Sequence, residues 1–160
     1  MFTSYLWKGI YSLWQEERLS EEFWQYGNNN RIPVLWDTEA TPGQPYPYCV
    51  IESLSYSVKE RMSDNVYGKY REVRDYILRF HIYTSSIGNK SAKEIGAELA
   101  RKVMNVFGGG EKPPKKIPLE KGKHISTDLE LETVSRESED VSDYILEYRI
   151  RVDLPLCLCT

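Results

Sequence analysis

Pro47-Tyr48-Cys49-Val50-Ile51-Glu52, then Tyr76-Ile77-Leu78-Arg79-Phe80-His81-Ile82-Tyr83-Thr84, then a helix signal at Ser91 follow one another within residues 47–107. Cys49, Val50 and Ile51 form the apolar centre of a first strand, over 48–54. In the second stretch Tyr76, Leu78, Phe80 and Ile82 alternate with Asp75, Arg79 and His81, the pattern of a strand with one buried and one wet face. Ser91 followed three residues later by Glu94 is a capping box. Ala92, Ile95, Leu99, Val103 and Val106 then supply a helical apolar stripe that Gly108-Gly109-Gly110 ends.

Working outward, Leu6, Ile10, Leu13 and Trp14 recur at helical spacing after a candidate cap at Ser4. A second short helix is expected from Ser20, closed by Gly27 and Asn28 to Asn30. Residues 31–36 read as a short edge strand, because Pro33 cannot donate to a central ladder. After residue 123, strands are expected over 125–134, with Ile125, Leu129 and Leu131 on one face, and over 144–154. The polar turn at 137–142 makes them an antiparallel hairpin. The expected fold is α+β: an antiparallel sheet of about four strands with helices packed on one face and a closing hairpin. It is a single domain with long loops at about 57–72 and 108–123.

Composition narrows the function classes. The chain has 160 residues, 41% apolar and 28% charged, enough for one core without disulfide or metal staples. Twelve Tyr and four Trp suit either half-wet contact surfaces or simply strands. The net charge of −3 gives no general attraction to nucleic acid or anionic membrane. Lys112, Lys115 and Lys116 lie in a basic block, and Asp128, Glu130 and Glu132 in an acidic one. Blocks of opposite sign serve head-to-tail contacts between copies, or are merely solvated. Cys49, Cys157 and Cys159 form no disulfide or zinc framework, which fits a reducing compartment. Neither a signal peptide nor an apolar run long enough for a membrane span is read, so no membrane partner is expected.

The search for chemistry yields no catalytic, metal or cofactor-binding residues. His81 and His124 read as surface residues without ligand spacing. The three acids on one strand face read as its wet side, and the triple glycine follows a helix rather than preceding one, so it is no phosphate loop. Cys49 reads as a small buried hydrophobe.

The segments Pro45-Tyr46-Pro47-Tyr48-Cys49-Val50-Ile51-Glu52, Leu78-Arg79-Phe80-His81-Ile82-Tyr83-Thr84 and Ala92 to Phe107, in that order, resemble the tail terminator (tail completion) proteins of long-tailed bacteriophages. The resemblance implies a non-enzymatic virion protein without a cofactor, made in the host cytoplasm and placed at the tail–neck junction. It implies a homohexameric ring on the tail tube that stops tube growth and meets a head-side connector or stopper protein. DNA passes through the opening without sequence-specific binding. The chain departs from simpler members at its loops over 57–71 and 109–123. Arg61, Met62, Tyr67 and Tyr70 on the first loop are the candidate intersubunit or tail contacts. Lys112, Lys115 and Lys116 are expected to face Asp128, Glu130 and Glu132 of a neighbouring copy. The alternatives are another head–tail connector ring protein, or a small cytosolic enzyme or ligand-binding domain.

Overall fold

A computed structural model describes residues 4–27, 32–64, 69–136, 138 and 140–157. The elements run α1 (Ser4–Glu16), α2 (Leu19–Trp24), β1 (Leu35–Asp37), β2 (Tyr48–Asp64), β3 (Lys69–Ser85), α3 (Ala92–Phe107), β4 (Lys123–Arg136) and β5 (Val141–Cys157). One five-stranded sheet has the order β1-β2-β3-β5-β4. Every pairing is antiparallel except β1 with β2, where Leu35 sits opposite Cys49 and Asp37 opposite Ile51. The expected α+β sheet is therefore present, with the short edge strand at 35–37 as its fifth member.

The alternation read in β3 holds. Tyr76, Leu78, Phe80 and Ile82 are buried on the helix side of the sheet, as are Leu146, Tyr148, Ile150, Val152 and Leu154 of β5. Phe80 is the hub: its ring lies 5.0 Å from Phe107 and 5.3 Å from Tyr148, edge-on to both. All five stripe residues of α3 are buried, and the Ser91 hydroxyl accepts from the Glu94 N–H at 3.2 Å, as the capping signal requires. Leu6, Ile10, Leu13 and Trp14 join the same core from α1. The Ser20 cap does not form. Arg18 occupies that position, and the Ser20 hydroxyl accepts instead from Trp14 Nε1 at 2.9 Å. The Asn28 to Asn30 stop and Tyr67 lie outside the described residues. No helix among the described residues is long and apolar enough to cross a membrane.

The polar stretch at 57–71 corrects the expected loop. Residues 57–64 and 69–75 extend β2 and β3 into a paired arm, and β5 continues along it until Cys157 faces Lys69. No apolar period marks β2 and β3 there because both strands carry ion pairs, while Val152 and Leu154 of β5, opposite Arg74 and Glu72, remain part of the core. Tyr56 is 55% exposed on the helix-side face, and Arg61 is exposed there too, so the helical layer stops short of them. The eight residues 57–64 span roughly 26 Å at strand rise. The second expected loop does bridge without helix or strand over 113–119. It is tied down by Lys115 N–H to the Val106 carbonyl and by Ile117 N–H to His124 Nδ1.

Gly9 lets this bridge approach α1. A Cβ there would fall inside contact distance of the Pro118 carbonyl oxygen and within 2.8 Å of Ile117 Cγ2.

Candidate functional site

The helix-free face of the sheet is where unusual chemistry collects. Along β3 it carries Asp75, Ile77, Arg79, His81 and Tyr83, flanked by the odd-numbered residues 143–153 of β5. Cross-strand carboxylate–cation pairs run along it. Arg79 Nε donates to Glu147 Oε1 at 2.8 Å. Arg151 grips both oxygens of Asp75, at 2.8 and 3.1 Å. Lys59 lies 3.9 Å and Arg149 3.8 Å from the same carboxylate. The Asp75 side chain is only 1% exposed although no helix among the described residues covers this face, with Arg151, Arg149 and Lys59 gathered around it. The hydrogen bond from Arg151 holds its carboxyl below the usual range, against the opposing effect of burial.

His81 corrects the reading of a plain surface histidine. It spans three strands, with Nδ1 2.9 Å from Asp143 Oδ2 on β5 and Nε2 3.1 Å from Glu52 Oε1 on β2. The Asp143 hydrogen bond raises its pKa above 6.5, burial opposes the shift, and Glu52 adds to it. His124 is also not a surface residue. It is buried at the root of β4, with Nδ1 accepting from Ile117 N–H and Nε2 2.7 Å from Thr127 Oγ1. Burial lowers its pKa, a hydrogen bond to the Ser126 backbone opposes that, and Lys116 adds to the lowering.

The two shifts have opposite consequences. His81, with its pKa raised in the folded chain, contributes stability that is full below about 6.5 and is lost as pH rises through its folded value. His124, with its pKa lowered, contributes stability present above about 6.5 and lost as pH falls through its folded value. The expected profile of unfolding free energy against pH therefore falls on both sides of about 6.5 in the window set by these two groups. Urea titrations between pH 5 and 9 should show His81→Gln removing the alkaline decline alone. A decline unchanged in that variant would contradict the assignment.

An aromatic ladder continues from His81. Its ring stacks on Tyr83 with centroids 5.9 Å apart, Tyr83 lies 5.1 Å from Tyr48, and Tyr48 lies 5.5 Å from Tyr46. These tyrosines and the 38–44 loop line an open cleft of about 500 Å³. The ladder escaped sequence reading because Tyr48 and Tyr83 are far apart along the chain and meet only through the strand register.

The predicted contact residues separate into distinct places. Arg61 lies on the arm, where its Nε donates to Glu72 Oε2 at 3.2 Å. Met62 and Tyr70 face each other's neighbours in the same pair of strands, Met62 opposite Arg71 and Tyr70 opposite Ser63. Lys112, Lys115 and Lys116 are exposed on the bridge between α3 and β4. Lys115 pairs with Glu17, in the turn that follows α1.

The acids do not share one face. A bulge between Leu129 and Leu131 takes up Glu130, which shifts the alternation. Asp128 stands opposite Arg149 on the helix-free side, whereas Glu132 stands opposite Leu146 on the helix side and accepts from the Tyr144 hydroxyl. Glu130 forms an ion pair with Arg149, Nε to Oε1 2.9 Å, without hydrogen-bond alignment. A second bulge between His124 and Ser126 likewise displaces Ile125. Ile125 and Leu131 are consequently exposed, and Leu129 alone of the expected trio packs against the core.

No protein-family model matches the chain. No curated protein matches it either. Among solved structures, a chain from the virion of a native gene transfer agent particle is similar over 81% of this chain and 90% of its own, at 19% identity and a TM-score of 0.42.

Proposed function

We propose that this chain is a non-enzymatic structural protein of a phage-type virion that caps the tail tube as a ring. In that role it ends tube growth and forms the junction to the head-side connector. The reading takes its role from the resemblance of residues 45–107 to tail terminator proteins. The structural observation that carries it is a sheet with both edges bare among the described residues, prolonged by an arm beyond the helical layer.

Among the described residues, beyond β1, β2 pairs only with β3, and β4 only with β5. Each of these edges is interrupted by two bulges, which discourages open-ended strand pairing. The same bulges turn apolar side chains outward: Leu54 on β2, and Ile125 and Leu131 on β4, are exposed. Unlike edges that meet head to tail give a heterologous contact, which closes into a ring when the rotation allows. Lys112 and Lys116 stand near the root of β4 and add a charged element to the same contact.

The test is size and tube capping together. Light scattering and electron microscopy should find rings, alone or at the ends of tail tubes. A chain that stays monomeric and never joins tube ends overturns the reading. Lys112→Glu combined with Lys116→Glu should weaken the assembly more at low salt than at high salt. Ring formation unchanged at every ionic strength would remove the lysines from the interface.

A further inference from the structure

The N-terminus of α3 opens onto a cavity of about 380 Å³ lined by Ser91, Ala92, Lys93, Val134, Val141 and Ser142, among others. Two independent features converge there. The first is the helix itself, sixteen residues long, whose opening amides have no intrahelical acceptor. Ser91 satisfies the Glu94 N–H, and no acceptor meets the Ala92 or Lys93 N–H among the described residues. The second is Ser142. Its residue is 3% exposed, yet its hydroxyl has no hydrogen-bond partner among the described residues. It stands opposite Thr84 on the helix side of the sheet, and Thr84 is already committed to the Ala92 carbonyl at 2.6 Å. An unpaired buried hydroxyl is costly, so one that lines a cavity under two free amides points to something that completes it.

We propose that this cavity is an oxyanion-binding site that takes a phosphate or carboxylate group. The Ala92 and Lys93 amides and the Ser142 hydroxyl donate to its oxygens. The Ser91 hydroxyl already accepts from Glu94, which leaves its proton to donate. Lys93, an exposed residue of the lining, supplies the opposite charge, and the positive end of α3 adds to it. Val134 and Val141 form the apolar wall against which the body of a larger anion rests. Glu94 in the first turn and Asp140, which accepts from the Ser86 hydroxyl at 3.2 Å, oppose the anion and keep affinity low. The site is independent of ring assembly, so each proposal stands or falls alone.

The experiment is an amide-resolved NMR titration of the full chain with inorganic phosphate and, separately, with acetate, against sodium chloride of equal ionic strength. The expected result is a saturable shift of the Ala92 and Lys93 amides, half-complete at low millimolar anion, that chloride does not produce. The arm that saturates at lower concentration identifies whether phosphate or carboxylate is preferred. Ser142→Ala and Lys93→Gln should each weaken binding several-fold. Lys93 is exposed, so its variant reports on the site even if the serine variant disturbs the fold. Shifts no larger than chloride produces, or titrations unchanged in Lys93→Gln, would overturn the proposal.

Discussion

Phe80→Ala is expected to lower the unfolding free energy by about 3–5 kcal/mol, the range for removing a large aromatic from a packed core. Phe80 is fully buried at the centre of the sheet and meets Phe107 of α3 and Tyr148 of β5 edge-on. Its loss opens a cavity that neither neighbour can fill. Tyr148 is pinned by its hydroxyl, which donates to the Gly108 carbonyl at 2.7 Å, and Phe107 is fixed at the end of its helix. Natural domains hold only about 5–15 kcal/mol in total, so this one substitution consumes a large share. Phe80→Leu keeps most of the volume and should cost under about 2 kcal/mol. Urea unfolding at fixed pH measures both. A Phe80→Ala loss below that of Phe80→Leu would show that helix and sheet do not share this core.

The core was legible because burial writes itself into the sequence as a period. Tyr76, Leu78, Phe80 and Ile82 announce a half-buried strand, and Ile95, Leu99 and Val103 announce a helix to cover it. Two kinds of feature left no such mark. The arm's segments of β2 and β3, at 57–75, carry no apolar stripe of their own, so their sequence signal is charge complementarity across a register that must already be known. Arg61 facing Glu72 and Asp75 facing Arg151 are examples. The bulges at Ile125 and Glu130 are the other kind. Each inserts one residue and inverts every later position, so Asp128 and Glu132 part to opposite faces and Leu131 turns outward.

The contact surfaces follow the same division. The aromatic ladder and the His81 bridge need three strands in register before their parts meet, and no local pattern anticipates that. The exposed lysines were legible as a block, but the contacts that the acids make within their own chain were not. Glu130 and Glu132 are engaged within their own chain by Arg149 and Tyr144. A solvated face reads as polar whether its charges are idle or paired, and only the register tells the two apart.

Glu72→Ala is expected to release the arm while leaving the core folded. The Glu72 carboxylate is 6% exposed and accepts from Arg74 Nε at 2.6 Å and from Arg61 Nε at 3.2 Å. Burial would lower the Arg74 pKa, but its bonds to the Tyr76 hydroxyl and Glu72 more than offset this and leave it raised. Arg74 also lies 5.0 Å over the Tyr56 ring. Without Glu72, the ring and the phenol remain, and neither neutralises a largely buried guanidinium. Breaking a buried pair from one side costs about 3–5 kcal/mol, and the exposed Arg61 places this case at the low end. The cost falls on the arm, where the helices add no packing at Tyr56 or Arg61, so local opening absorbs it. Amides in 57–61 and 70–74 should then exchange roughly 100-fold faster, the tenfold-per-1.4 kcal/mol equivalent of that cost. Those of Leu78, Phe80 and Ile82 should keep their protection. Glu72→Gln retains an acceptor and should open the arm less. If the arm contributes to the contact between copies, Glu72→Ala also lowers ring yield at unchanged core protection. Equal acceleration in the arm and in 78–82 would instead make the arm part of one cooperative unit with the core, and ring yield would then fall through global unfolding.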